Sequence, residues 1–244
     1  VTPNRPDALG VYGIARELAA KGLGRLLPLP AARAAGAFDS PIAVALRFND
    51  TDNKPCPLFI GRYFRGVRNG PSPDWMQARL RAIGLRPISA LVDITNYVTF
   101  AFGRPLHVFD AGKLKGAQTV RLSRPGETLE ALDGRTYVLD GSETVIADDA
   151  GPQALGGIMG GEETGCSEDT TDVFLEAALF DPLRTAATGR KLQIISDART
   201  RFERGVDPAF VETQHQELVE VAELSTRFVA GTRAGPMHKG GREK

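Results

Sequence analysis

The chain has 244 residues, with 30 Lys and Arg against 30 Asp and Glu, so its formal net charge is zero. Apolar types make up 42% of it, enough to bury a sizeable core in one large domain or two small ones. The zero balance excludes a generally basic binder of nucleic acid or membrane, so any RNA contact has to be local or shared with other domains.

Two cysteines (Cys56, Cys166), three scattered histidines (His107, His215, His238) and no Cys-x-x-Cys leave neither a disulfide scaffold nor a metal centre to expect. A reducing, cytoplasmic setting is the simplest reading. No apolar run reaches membrane-spanning length, and the N-terminus carries no signal pattern. Val1 is not an initiator Met and the tail is polar and Gly-rich, so the chain reads as an excised piece of something larger.

In chain order, residues 6–21 predict a helix: Asn4 caps it, Pro6 suits the first turn, and Leu9, Tyr12, Ile14 and Leu18 give an apolar stripe ending at Gly22. Residues 23–40 read as a linker. Ile42, Val44, Leu46 and Phe48 alternate as a strand does, and a second strand pattern runs from Leu58 to Val67. Ser72-Pro73-Asp74 opens a helix with Trp75, Met76, Leu80 and Ile83 on its apolar side, ended by Gly84. A further helix is expected over 88–102, closed by Gly103. From 118 to 178 short apolar runs are separated by Pro-Gly and Asp-Gly signals, the texture of a compact antiparallel β region. Phe174-Leu175-Glu176 is its late strand, and 182–192 and 208–230 read as helices. No internal repeat appears, and the strand–helix alternation of a doubly wound sheet is missing. The expected class is α+β, a β-rich core with flanking helices behind a short helical segment.

Chemistry is sparse. His107 follows Pro105 just past a helix end. A hydrogen-bonded structural histidine is the simpler reading, and a group that orients water or a polar ligand is the functional one. Glu176 sits among apolar neighbours. It faces either outward or inward, and inward it needs a partner or a ligand donor such as a hydroxyl. The loop Gly156-Gly157-Ile158-Met159-Gly160-Gly161 matches neither the dinucleotide fingerprint nor the P-loop, and its paired glycines allow unusual torsions and close backbone approach. Asp93, Thr95 and Asn96 form a polar cluster in an apolar stretch, either satisfied locally or facing a cavity. The charges after Ser196 (Asp197, Arg199, Arg201, Glu203, Arg204) read as a solvated helix face with internal ion pairs. A Ser196–His107 triad lacks the Gly-x-Ser-x-Gly elbow that would support it.

At a set of ordered stretches the chain resembles the β subunit of bacterial phenylalanyl-tRNA synthetase. These are Thr2–Asp7, Gly84–Ser89, Val92–Val98, Pro105-Leu106-His107, Gly156–Gly161, Leu175-Glu176-Ala177 and Arg201–Pro208. The resemblance implies the end of a B1-like helical region with a linker over 1–37, a B3/B4-like editing domain over 38–230, and a flexible polar tail over 231–244. It implies hydrolysis of tyrosine mischarged onto tRNA(Phe), part of phenylalanine-tRNA ligase function. The implied partners are the tRNA(Phe) 3′ end and, through segments outside this chain, the synthetase α subunit. No membrane or DNA partner and no cofactor in this portion are implied; ATP and magnesium belong to the full enzyme.

By the same resemblance Glu176 is the group that reads the tyrosine hydroxyl, and His107 helps place the hydrolytic water and the terminal adenosine. Arg86 falls near the tRNA 3′ end, Thr95 and Asn96 around the amino group and water, and Gly160 at a close backbone approach. Ser196 and Ala198 are small wall positions. Ser196 stands where the family commonly has Thr, and Ala198 leaves room for a tyrosyl ring that a bulky side chain would exclude. The mechanism this implies is water attack on an aminoacyl ester without metal or covalent intermediate. The alternative is a stand-alone or truncated B3/B4 module that binds amino acid or RNA without turnover.

Overall fold

A computed structural model describes residues 1–2, 4–27, 38–49, 53–208, 233–234 and 238–239. Strand β2 (Leu58–Arg65) buries six consecutive residues, so it reads as a near-continuous apolar run because both its faces are covered. Its long neighbour β10 (Val173–Leu179) is buried on both faces for the same reason. β10 lies between β2 and β3 (His107–Asp110), antiparallel to both.

Odd and even positions of this sheet serve two cores. Phe64, Val108, Val173 and Leu175 pack under two helices, α2 (Asp74–Ala82) and α3 (Ala90–Phe102). Phe59, Tyr63, Phe109, Phe174 and Ala178 face the other way. They meet Val44, Val120, Ile146 and Ala154 of a second sheet, made of β1 (Val44–Arg47), β4 (Gln118–Leu122), β7 (Thr144–Ala147), β8 (Pro152–Leu155) and β9 (Met159–Gly160) in that spatial order. The pair β1–β4 is parallel and the other pairs are antiparallel. A hairpin, β5 (Thr128–Glu130) with β6 (Thr136–Val138), packs Leu129 and Tyr137 on the outer face of this second sheet with Val145 and Leu155. Helices α4 (Pro182–Lys191) and α5 (Asp197–Phe202) follow. The architecture is therefore mixed α+β with a β-rich core and flanking helices, as the sequence pattern predicts.

The differences have local causes. The helix expected over 6–21 splits into a 3₁₀ turn, Pro6–Ala8, and α1 (Val11–Ala20). The break is Gly10, where a Cβ would come within 2.3 Å of the Gly103 backbone nitrogen, so the chain bends around the end of α3. The stripe does not face a core: Ile14 and Leu18 are 46% and 49% exposed. The expected linker falls largely, and the expected helix 208–230 almost wholly, outside the described residues. Of residues 231–244 two short pieces are described. Arg233–Ala234 (β11) and His238–Lys239 (β12) pair with β2, whose free edge presents unmet backbone donors and acceptors. The charged face around α5 is not wholly solvated, because Arg201 is buried, its guanidinium 4.5 Å from the Phe100 ring centre.

Candidate functional site

The register of the central sheet puts Gly61 of β2, Glu176 of β10 and His107 of β3 in one row. Directly opposed residues on antiparallel strands project to the same face. Glu176 and His107 therefore point together into the space between the two sheets, on the side of Phe109 and Phe174. Gly61 leaves its place in the row to the Phe174 ring; a Cβ there would come within 2.0 Å of Phe174 Cζ. The His107 ring stands edge-to-face on Phe109, 4.3 Å between centres.

The opposite wall is β9. A Cβ on Gly160 would lie 2.3 Å from His107 Cε1 and 2.8 Å from Nε2, so the imidazole packs on bare backbone. Gly160→Ala should push the ring off its Phe109 support, with a stability loss of about 1–3 kcal/mol by overpacking. Urea unfolding of the variant checks this, and an unchanged midpoint would place the ring elsewhere.

Glu176 is 5% exposed, and its carboxyl makes no hydrogen bond among the described residues. Burial pushes it up to about 8, against the pull of the Arg104 cation. The carboxyl is thus protonated near neutrality and can both donate and accept. Half-buried His107 likewise makes no hydrogen bond among the described residues, and loss of water around the ring pushes it down to about 4. Two polar groups held without protein partners side by side in a core call for a ligand or water as partner.

Arg104, at the head of the run Arg-Pro-Leu-His, belongs to this neighbourhood. Continued past His107, the β3 ladder would set Pro105 opposite Ala178, and proline has no N–H to give. The Arg104 guanidinium donates to the Ala178 carbonyl instead, two residues from Glu176. Arg104 is 1% exposed and keeps Nε and one terminal nitrogen without hydrogen-bond partners among the described residues. An arginine between Gly and Pro ahead of a candidate histidine is the signal that marks it.

The glycine loop closes the same region. Gly157 has φ +71°, and a Cβ there would strike the rings of Phe180 and Phe202. Ser196 caps α5 by accepting from the Arg199 N–H at 3.0 Å and donates to the Ile158 carbonyl at 2.7 Å, tying the loop to the helix. Ala198 packs against the inter-sheet core beside these aromatics.

His107, Glu176 and Gly160 thus meet between the two sheets, while Ser196 is tied to the glycine loop and Ala198 packs against the inter-sheet core. Thr95 and Asn96 lie on α3, over the other face of the central sheet. Thr95 donates to the Val92 carbonyl at 2.8 Å and lines a small apolar cavity with Leu91, Val108 and Leu175. Asp93 is satisfied locally: its carboxylate accepts from the Ile88 N–H at 2.8 Å and from the Ser72 hydroxyl, fastening the loops before α2 and α3. Arg86 is exposed in the loop between those helices.

A β-rich sandwich with a helix pair on one sheet, carrying this buried row, defines the class of domain. The B3/4 domain family model matches residues 55–225, and the chain belongs to that family. It is similar to the phenylalanine–tRNA ligase beta subunits of Paramagnetospirillum magneticum, at 62% identity over 94% of this chain, and of Cereibacter sphaeroides, at 58% over 94%. In both cases it spans 28% of the relative's length. Among solved structures, an N-terminal fragment of the Pyrococcus horikoshii phenylalanyl-tRNA synthetase beta subunit aligns at TM-score 0.44 and 16% identity. That alignment covers 77% of this chain and 58% of the other.

Proposed function

We propose that this domain hydrolyses the ester of tyrosine wrongly attached to tRNA(Phe), as the proofreading part of a phenylalanine–tRNA ligase beta subunit. The observation that carries the proposal is Glu176: a protonated, unpartnered carboxyl in an apolar space, beside a neutral histidine. A pocket that accepts Phe cannot strongly reject the same ring with an added hydroxyl, whereas a second pocket that hydrogen-bonds that hydroxyl rejects Phe, which would leave the polar group unmet. The aromatic rings of Phe109, Phe174 and Phe180 suit a tyrosyl ring, and the small side chain of Ala198 gives it room.

Hydrolysis then needs a water aimed at the ester carbonyl. His107, neutral from about pH 5 upward by its lowered proton affinity, holds that water as a hydrogen-bond partner; at about 4 it is too weak a base to carry the step as a proton acceptor. Positioning in a closed site supplies the rate, since an aminoacyl ester is already activated. Arg86, Thr95 and Asn96 lie away from this space. The proposed place of Arg86 is with the RNA end, and Thr95 and Asn96 on α3 lie on the same helix-covered side of the sheet. The synthetase α subunit and the 3′ end of tRNA(Phe) are the proposed partners, and the cytoplasm the proposed setting.

The test is deacylation of tyrosyl-tRNA(Phe) beside phenylalanyl-tRNA(Phe), with the chain and its His107→Ala variant. Selective loss of the tyrosyl ester, slowed in the variant, is expected. Equal, uncatalysed decay of both esters, with RNA still bound, overturns the proposal in favour of a binding module.

A further inference from the structure

The charge balance of zero conceals a strongly uneven distribution. Between Arg62 and Val92 there are six arginines and a single acid, Asp74, so the remainder of the neutral chain is net acidic. Arg68, Arg79, Arg81 and Arg86 of this stretch are exposed. Their neighbours are aromatic. Trp75 is 40% exposed, stands edge-on to Tyr97 at 5.3 Å between centres, and has the Arg79 guanidinium 5.0 Å from its ring centre. Arg79 also donates to the Tyr97 hydroxyl at 2.7 Å, which fixes this platform.

The two loops that carry the outlying arginines are fastened to each other. Ala90 N–H donates to the Gly70 carbonyl at 2.7 Å and Leu91 N–H to Asn69 Oδ1 at 3.2 Å. Arg68 therefore sits on the loop beside the one that bears Arg86, both at the start of α3. Arg68 and Arg86 form no ion pair among the described residues. Asp74 and the acidic pair Glu168 and Asp169, whose loop is bonded to Asn69 through the Ser167 carbonyl, border the patch.

We infer that this α2–α3 surface is a docking site for an RNA strand, with Arg68, Arg81 and Arg86 on phosphates and the Trp75–Tyr97–Arg79 platform receiving a base. Planar guanidinium groups bind phosphate oxygens in pairs. An exposed indole beside them offers the stacking face that sequence-tolerant single-strand binders use. Charge complementarity selects the occupant: protein interfaces deplete charge at their centre, while this patch has cations throughout. The inference rests on the ester-hydrolysis reading for which RNA it meets. It adds that the grip lies on the helix-covered face, away from the Glu176 row.

Trp75 is the sole tryptophan, so its fluorescence reports on the site directly. The experiment titrates the whole chain with uncharged tRNA(Phe) and with a single-stranded oligoribonucleotide at several salt concentrations. Saturable quenching by both is expected. Arg68→Ala, Arg81→Ala and Arg86→Ala should each lower the salt slope by about 0.7–0.9 and weaken binding several-fold. Lys115→Ala, on an exposed turn elsewhere, should leave the slope unchanged. Unquenched Trp75, or slopes unchanged in the arginine variants, overturns the inference; so does equal competition by polyglutamate, which would mark a surface for an acidic polypeptide. Uncharged RNA needs no hydrolysis. A null result here leaves the ester reading standing, and RNA binding without deacylation overturns that reading alone.

Discussion

Glu176→Ala should abolish the preference for tyrosyl over phenylalanyl ester while the domain stays folded. Discrimination through a buried group built to meet a hydroxyl reaches roughly 10⁴–10⁵, and Glu176 is the buried carboxyl between the two sheets. The phenylalanine rings and Ala198 treat the two substrates alike, which leaves discrimination to the polar groups. The fold tolerates the change because the side chain makes no hydrogen bond that would be broken. Deacylation rates of both esters, with circular dichroism of the variant, measure this. A variant that still prefers tyrosine by the wild-type factor would remove Glu176 from the role.

The second large effect is on stability against pH. Folded Glu176 keeps its proton up to about 8, whereas the ordinary value is 4.5. The folded state therefore holds the extra proton over that interval. The stability this supplies is complete below 4.5 and is lost as pH rises through 8. His107 works in the opposite sense: lowered from 6.5 to about 4, its contribution is present above 6.5 and is lost as pH falls through 4. Between 6.5 and 8 only Glu176 of the pair changes the balance. Wild type should lose up to about 1.4 kcal/mol per pH unit there relative to Glu176→Gln, which has nothing to ionise. Urea unfolding of the two proteins across the window gives the slope, and parallel curves would mean that the carboxyl is already ionised at neutrality.

Much of this fold can be read from periodicity. β2 and β10 show as strand patterns, and Gly84 and Gly103 close α2 and α3 at positive φ where the pattern ends. What periodicity cannot give is the partner across a ladder. Glu176 in an apolar run is equally an outward or an inward group until β3 sets His107 opposite it, over sixty residues away in sequence. The split of the first helix at Gly10 is invisible for the same reason, because its cause is the distant Gly103 backbone. Thr95 and Asn96 adjoin Asp93 in sequence, yet α3 sets Thr95 over the face of the sheet opposite Glu176. The burial of Arg104 is likewise invisible in sequence, because its partner, the Ala178 carbonyl, lies 74 residues away.

The two walls of the site differ in how easily they move. Glu176 is flanked on both sides, by Gly61 in the seven-pair β10–β2 ladder and by His107 at the end of the four-pair β10–β3 ladder. Glu176 is held by strands on both sides, so moving it means opening the central sheet, one of the costlier local openings of the domain. The facing wall is β9, a two-residue strand after the glycine turn, paired with β8 on one side and bonded on the other through the Leu132 N–H to the Gly160 carbonyl. On the proposed reading, adjustment to a substrate would fall on Met159 and Gly160 of this short strand, while Glu176 stays fixed in the central sheet. A stabilising substitution in the central sheet would leave selectivity untouched, whereas one that stiffens the loop behind β9 would slow entry and release.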